Sequence, residues 1–156
     1  MTYSKWANQA SKNAISLAEE SRILFNANKK ERAYYLSHMA SEESSKAILL
    51  QTMHLRSTPL SDLPKVERLL RNHKKKIEFV LELAKADNLE LAKQLEGTRD
   101  NLLNHINNLK NNSMYVTHVD GVIKSPSNAV KNIDIEQFVF VGEALAKYSS
   151  DLMGKP

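Results

Sequence analysis

Apolar residues recur every three or four positions along most of this chain, which places them on one side of an α-helix. One such stripe runs from Trp6 to Phe25 within residues 4–26, and a second occupies residues 31–56. Gly and Pro, which interrupt helices, number only four each among the 156 residues. The pattern therefore predicts a chain that is mostly helical.

Two further stripes predict a third helix over residues 66–84 and a fourth over residues 89–109. The segment 57–64 contains two prolines and separates the second helix from the third. Asp87 and Glu90 have the spacing of a capping box, which marks the start of the fourth helix. Gly97 favours a kink or a restart within that helix.

The period changes after Met114, where β-branched residues alternate around Asp120-Gly121 and predict a small hairpin with a tight turn. Asp134 then caps a last helix whose inner face begins at Phe138. We therefore predict an all-α fold: a five-helix, mostly antiparallel bundle formed by a single domain of residues 1–156. A hairpin or loop insertion at 113–128 precedes the last helix.

Composition excludes several classes of protein. Without Cys, the chain has no disulfide, no thiolate metal site and no cysteine nucleophile. No stretch approaches 18 consecutive apolar residues, and the N-terminus lacks the apolar core of a signal peptide. We therefore expect a cytoplasmic protein without membrane association. The net charge of +4 is compatible with an anionic partner.

Charged residues interrupt two apolar rows of the second helix. Glu43 falls on the row that begins at Leu36, and Glu42 falls on the row that begins at Tyr35. A carboxylate removed from water needs a compensating partner. Only one row of this helix is predicted to be freely solvated, and it consists of Tyr34, His38, Ser41, Ser45 and Thr52.

The third and fourth helices also place one polar residue each, His73 and Arg99, within an apolar stripe. Because Arg binds carboxylates with two parallel hydrogen bonds, we expect Arg99 to pair with Glu43 inside the bundle, with His73 nearby. Glu42 and Lys46 are expected at the rim as an i,i+4 pair. Two interpretations are open: a buried structural network, or a polar cleft at the bundle core or at a dimer interface.

Six of the nine residues in the segment 68–76 are basic or His. Arg68 and His73 are separated by four residues, and Arg99 and His105 by five. On one ideal helix the first pair diverges by about 140°, so it serves one site only at a helix edge or with a second subunit. The alternative is a solvated basic face. The segment consists of Arg68, Leu69, Leu70, Arg71, Asn72, His73, Lys74, Lys75 and Lys76.

The sequence lacks the motifs of several common metal and phosphate sites. The sequence contains no Glu-x-x-His for a di-iron bundle site, no Gly-rich phosphate loop and no His-Glu-x-x-His zinc motif. The five His are scattered without a metal-binding spacing. We therefore predict neither a metal nor a cofactor.

Three segments together resemble the AbiV-type abortive-infection proteins. SEESSKAILL (41–50) is similar to the family's E-E-x-x-K element, and RNHKKKI (71–77) is similar to its H-x-x-K element. LKNNSMYVTHVDGVIKSPS (109–127) is similar to a later block with a basic residue, S-x-Y-V, D-G and S-P. Lys110 departs from the Arg expected before that S-M-Y-V.

The resemblance implies a HEPN-like helical domain that forms homodimers and acts against phage. Many HEPN proteins are metal-independent ribonucleases with an R-x(4–6)-H pair, which implies catalysis by Arg68 and His73 or by Arg99 and His105. The His would serve as acid or base for attack of the ribose 2′-hydroxyl on the adjacent phosphorus. The alternative is a non-catalytic module that binds a phage protein, a host protein or RNA. Candidate binding residues are Glu42, Glu43, Lys46, Arg71, Lys74, Lys75, Lys76 and Tyr115.

Overall fold

A computed structural model of the chain describes residues 2–87, 89–96 and 106–154. A 3-10 turn at Leu60–Asp62 follows the second helix. An antiparallel pair of strands, β1 (Thr117–Val119) and β2 (Val122–Lys124), lies between residues 112 and 126. This arrangement confirms the all-α fold with a hairpin before the last helix. The helices are α1 (Tyr3–Asn26), α2 (Lys30–Leu55), α3 (Leu63–Arg71), α4 (His73–Asp87), α5 (Leu89–Glu96), α6 (Ile106–Asn112), α7 (Pro126–Ala129) and α8 (Ile135–Met153).

A tight turn joins α1 to α2 and folds them back on each other. Asn28 adopts a left-handed backbone with φ 57°, a conformation that Asn tolerates better than most residues. The backbone N–H groups of Asn28 and Lys29 donate to carbonyls at the end of α1, at 2.9 and 2.8 Å. The turn thereby satisfies the last carbonyls of α1 and sets the direction of α2.

Small residues bring α1, α2 and α8 into close contact. Ala14, Ala40 and Ala146 lie together in one buried cluster. A Cβ atom added to Gly142 on α8 would lie 3.1 Å from the backbone oxygen of Ser37 on α2, so the two backbones approach closely there. The Ser37 hydroxyl donates to the backbone oxygen of Phe138 at 2.5 Å. α2 is therefore the central helix of this group.

The row of α2 predicted to be solvated is instead mostly buried, so that prediction was wrong. Hydroxyl groups are short and can donate to the carbonyl four residues earlier, which removes the cost of burying them. Ser41 and Ser45 do so at 3.0 and 2.8 Å. The buried members of the row are Tyr34, His38, Ser41 and Ser45.

The predicted third helix is in fact two helices, because Asn72 interrupts it. Asn72 has an extended backbone with ψ 95°, and its side-chain oxygen accepts a hydrogen bond from the backbone N–H of Lys75 at 3.0 Å. Asn is a favoured residue for capping a helix start. Arg68 and His73 consequently lie on different helices, and the angle calculated for one continuous helix does not apply.

The hairpin forms as predicted around Asp120-Gly121, both of which have positive φ, at 51° and 77°. Positive φ at both central residues matches the twist of a two-residue hairpin turn. Val119 pairs with Val122 at the end of the ladder. Separately, none of the helices in the described ranges is long and apolar enough to span a lipid bilayer.

Candidate functional site: a buried carboxylate shared by His and Lys

Glu42 is the centre of a polar cluster between three helices. It projects from α2 and is only 7% exposed. His38 lies one turn earlier on the same helix, His73 and Lys76 come from the first turn of α4, and Lys110 comes from α6. Because α2 packs against both α4 and α6, the fold itself brings these side chains to one carboxylate.

Each carboxylate oxygen of Glu42 has an imidazole and an ammonium group near it. Oε1 lies 2.9 Å from Nε2 of His38 and 3.4 Å from Nζ of Lys110. Oε2 lies 2.9 Å from Nδ1 of His73 and 4.0 Å from Nζ of Lys76. The His73 contact has ion-pair distance, although its N–H is not aligned for a hydrogen bond.

These partners keep Glu42 ionised despite its burial. Burial alone would raise the pKa of the carboxyl group, because the charged form loses its hydration. The hydrogen bond from His38 and the charges of His38, His73 and Lys110 outweigh burial, and together they lower the pKa of Glu42 to about 2. The cluster therefore contains a fixed negative charge at neutral pH.

His73 is the cluster member with access to both the interior and the solvent. Its side chain is 33% exposed, while Nδ1 faces Glu42. Burial lowers the pKa of His73, Glu42 opposes that effect, and the charges of Lys76 and Lys110 reinforce it; the net direction is downward. The lowered pKa favours the neutral form of His73 near pH 7.

Among the described residues, the cluster and its neighbours Glu43 and Lys46 together have an excess of positive charge. Lys76 is buried, and burial lowers its pKa despite the opposing charge of Glu42. Glu42 and Glu43 supply two negative charges, whereas Lys46, Lys76 and Lys110 supply three positive charges. An anion near His73 is consequently favoured.

The roles expected for Glu42 and Glu43 are exchanged in the structure. Glu42, expected at the rim, occupies the buried position, and Glu43 pairs with Lys46 three residues later. The predicted i,i+4 pair of Glu42 with Lys46 is therefore wrong. Arg99 and His105, including the expected pair of Arg99 with Glu43, lie outside the described residues.

The other basic candidates form a surface rather than part of the cluster. They surround the corner between α3 and α4, beside His73. Tyr115 lies farther along the chain, before β1, and is also exposed. Exposed cations at this corner are Arg68, Arg71, Lys74 and Lys75.

Sequence reasoning missed His38, which it assigned to a solvated row. The spacing of His38 and Glu42 by four residues on one helix was the available signal, since such residues face each other. Nδ1 of His38 is buried and has no hydrogen-bond partner within the described part of the chain. Those same ranges contain no group of three or more His, Asp or Glu arranged to hold a metal ion.

The structure is that of an all-α protein with a charged cluster between α2, α4 and α6. The sequence profile of AbiV, a HEPN-type family, matches residues 2–146, so the chain belongs to the AbiV family of abortive-infection proteins. No curated protein and no solved structure gives a significant match. The resemblance was carried in part by Glu42, His73 and Lys76, and these three meet in the cluster. Lys110, which stands where the family pattern has Arg, joins them there.

Proposed function

We propose that this protein limits phage infection as a metal-independent endoribonuclease in which His73 is the acid–base group. The observation that carries the proposal is the position of His73. Nδ1 lies 2.9 Å from the Glu42 carboxylate, and the ring still reaches solvent beside a basic surface. A carboxylate that orients an imidazole is a common arrangement for general base catalysis.

In this mechanism Nε2 of His73 takes the proton from a ribose 2′-hydroxyl. The oxygen attacks the adjacent phosphorus, the bond to the 5′-oxygen breaks, and that oxygen leaves with a proton supplied by solvent, while the protonated His73 later returns its proton to solvent. The products have a 2′,3′-cyclic phosphate and a 5′-hydroxyl. Lys110 favours the negative charge that develops on the phosphoryl oxygens, and Lys74 and Lys75 attract the RNA backbone. The lowered pKa of His73 favours the active, neutral form of the base at pH 7.

The proposal also includes three other candidate catalytic residues, Arg68, Arg99 and His105. Arg68 is exposed near the corner that leads to His73, so it is a candidate phosphate ligand. Arg99 and His105 are the second candidate pair. A homodimer, with each subunit contributing to one RNA site, is part of the same proposal.

The test is incubation of the purified protein with single-stranded RNA in EDTA, with and without extract from phage-infected cells. We expect fragments with 2′,3′-cyclic phosphate ends, and no fragments from His73→Ala. His54→Ala is the matched control, because His54 is an exposed His in the last turn of α2, 12 residues after Glu42. Loss of cleavage in His105→Ala but not in His73→Ala would assign catalysis to Arg99 and His105. Intact RNA under both conditions would overturn the nuclease.

The second candidate function is a non-catalytic module that binds a phage or host protein. It is favoured by the exposed apolar side chains around the hairpin, such as Ile123, which is 71% exposed. Isolated two-stranded hairpins are marginally stable, and exposed apolar patches mark interaction surfaces. Under this hypothesis Val122→Lys with Ile123→Lys abolishes protection against phage, whereas His73→Ala retains it. The nuclease hypothesis instead predicts that His73→Ala loses protection against phage.

A further inference from the structure

A groove next to the charged cluster has walls suited to a nucleobase. It has a volume of about 300 Å³ and is lined by Trp6, Lys46, Glu67, Leu70 and Arg71. That volume is at the lower end of the range for small-molecule sites, so it suits a group no larger than a base with part of its ribose. The groove combines one indole ring, one aliphatic side chain and three charged groups.

Lys46 connects the groove to the cluster around Glu42. Its ammonium group pairs with Glu43 and lowers the pKa of Lys76, so its charge acts on the cluster as well as on the groove. A ligand in the groove is thus adjacent to the region of excess positive charge.

The charges of the groove favour a base inside and phosphates outside. Arg71 is 84% exposed and its contact with Glu67 is long, at 4.0 Å, so its guanidinium can bind phosphate or stack on a ring. Glu67, whose carboxylate lies 4.0 Å from Arg71, repels phosphate and accepts hydrogen bonds from base amino groups. Leu70 and Trp6 also belong to one apolar cluster, against which the partly buried Trp6 packs.

We propose that this groove is a base-binding subsite in which Trp6 stacks on a nucleotide of single-stranded RNA that flanks the phosphate held near His73. The inference rests on the proposed RNA-directed function and deepens it by naming the ligand and its position. Stacking on aromatic side chains is the usual way in which proteins hold unpaired bases, and it tolerates any base.

Trp6 is the only Trp in the chain, so its fluorescence reports on this groove alone. The experiment titrates the full-length protein with a short 2′-O-methyl oligoadenylate, which lacks the hydroxyl needed for cleavage. We expect saturable quenching, with binding about tenfold tighter than for an abasic backbone of the same length. Arg71→Ala should weaken binding severalfold without affecting the fold, because its side chain is exposed.

Arg32→Ala is the matched control for lost positive charge. Arg32 is exposed near the start of α2, 14 residues before Lys46 in the sequence, and therefore about 21 Å away along the helix. It should leave the quenching unchanged at moderate salt, where charges at that distance are screened.

Three results would overturn the subsite: no quenching, equal quenching by the abasic backbone, or equal quenching by polyglutamate, which would show a general anion surface. The nuclease proposal fails separately. Cleavage of unmodified RNA without Trp6 quenching contradicts only the subsite, and quenching without cleavage contradicts only the nuclease.

Discussion

α2 buries polar groups in two different ways within one helix. Ser44 and Ser45 donate to the carbonyls four residues earlier, at 2.8 Å each, so their hydrogen bonds form as soon as the helix does. Glu42 has one partner on its own helix, His38, but also depends on His73 and Lys76 from α4 and on Lys110 from α6. The serines need only their own helix, whereas the carboxylate needs three helices docked together.

The difference predicts where the fold is vulnerable. A hydroxyl bonded to its own helix is nearly neutral to remove, because its carbonyl partner keeps its helical hydrogen bond. A buried carboxylate that is removed leaves cations without a counter-charge in a place with little water. Substitutions in the two sets should therefore differ by several kcal/mol.

Glu42→Ala should have the largest effect. It removes the carboxylate that lies 4.0 Å from the buried Lys76, so we expect a loss of about 3–5 kcal/mol in the free energy of unfolding. Urea denaturation followed by circular dichroism measures the change. Glu43→Ala is the matched control and should cost about 1 kcal/mol or less, because its Lys46 pair is partly exposed. Equal losses in the two variants would contradict the central position of Glu42.

Acid should destabilise the protein through the same carboxylate. The folded-state pKa of Glu42 is about 2, below its ordinary value of 4.5, so the unfolded chain binds the proton more readily. The stability due to Glu42 is complete above pH 4.5 and is lost as the pH falls toward 2, a total of about 3 kcal/mol. His73, whose pKa is also lowered, acts in the same direction at higher pH.

Urea midpoints measured in steps from pH 6 to pH 2.5 test this prediction. The Glu42→Gln variant has no carboxyl group at this position, so its stability should fall less steeply with acid than that of the wild type. Parallel curves for the two proteins would show that other carboxylates cause the acid sensitivity.

Periodicity alone predicted the helices and the hairpin, because both depend on local patterns: apolar spacing in α1 and α2, and Asp120-Gly121 in the turn. It failed at Asn72, where a side-chain cap ends one helix and begins another. Residues such as Asn, which both cap helices and occur within them, leave that choice to the tertiary fold.

The sequence predicted a buried carboxylate on α2 but assigned that position to the wrong residue. Both Glu42 and Glu43 interrupt apolar rows, and the prediction placed Glu43 inside the bundle, whereas the structure buries Glu42. That choice depends on the rotation of α2 against α4 and α6. His38 was not predicted as a site residue because its helical row contains several Ser and Thr residues. Such polar residues predict an exposed face, but Ser41 and Ser45 of this row are buried.

The close approach of α2 and α8 should be the next most sensitive feature. In Gly142→Val the new Cβ would lie 3.1 Å from the backbone oxygen of Ser37, and its methyl groups need space that is not there. We expect a loss of about 2 kcal/mol from overpacking. Thermal unfolding measures it. Gly154→Val is a control, since the nearest atom to its Cβ is 3.8 Å away; a larger loss there would refute the tight contact.

The smallest effect is expected for the serines that bond within α2. Ser44→Ala removes one hydrogen bond to the Ala40 carbonyl but gains helix propensity, so the free energy of unfolding should change by less than about 0.5 kcal/mol. Ser37→Ala is the informative partner, because its hydroxyl donates across to Phe138 on α8 and its loss should cost about 1 kcal/mol. Urea denaturation of both variants separates local from interhelical hydrogen bonds. If Ser44→Ala lowers the free energy of unfolding more than Ser37→Ala does, the hydroxyls bonded within α2 also stabilise the packing between helices. The contrast between these serines and Glu42 would then be wrong.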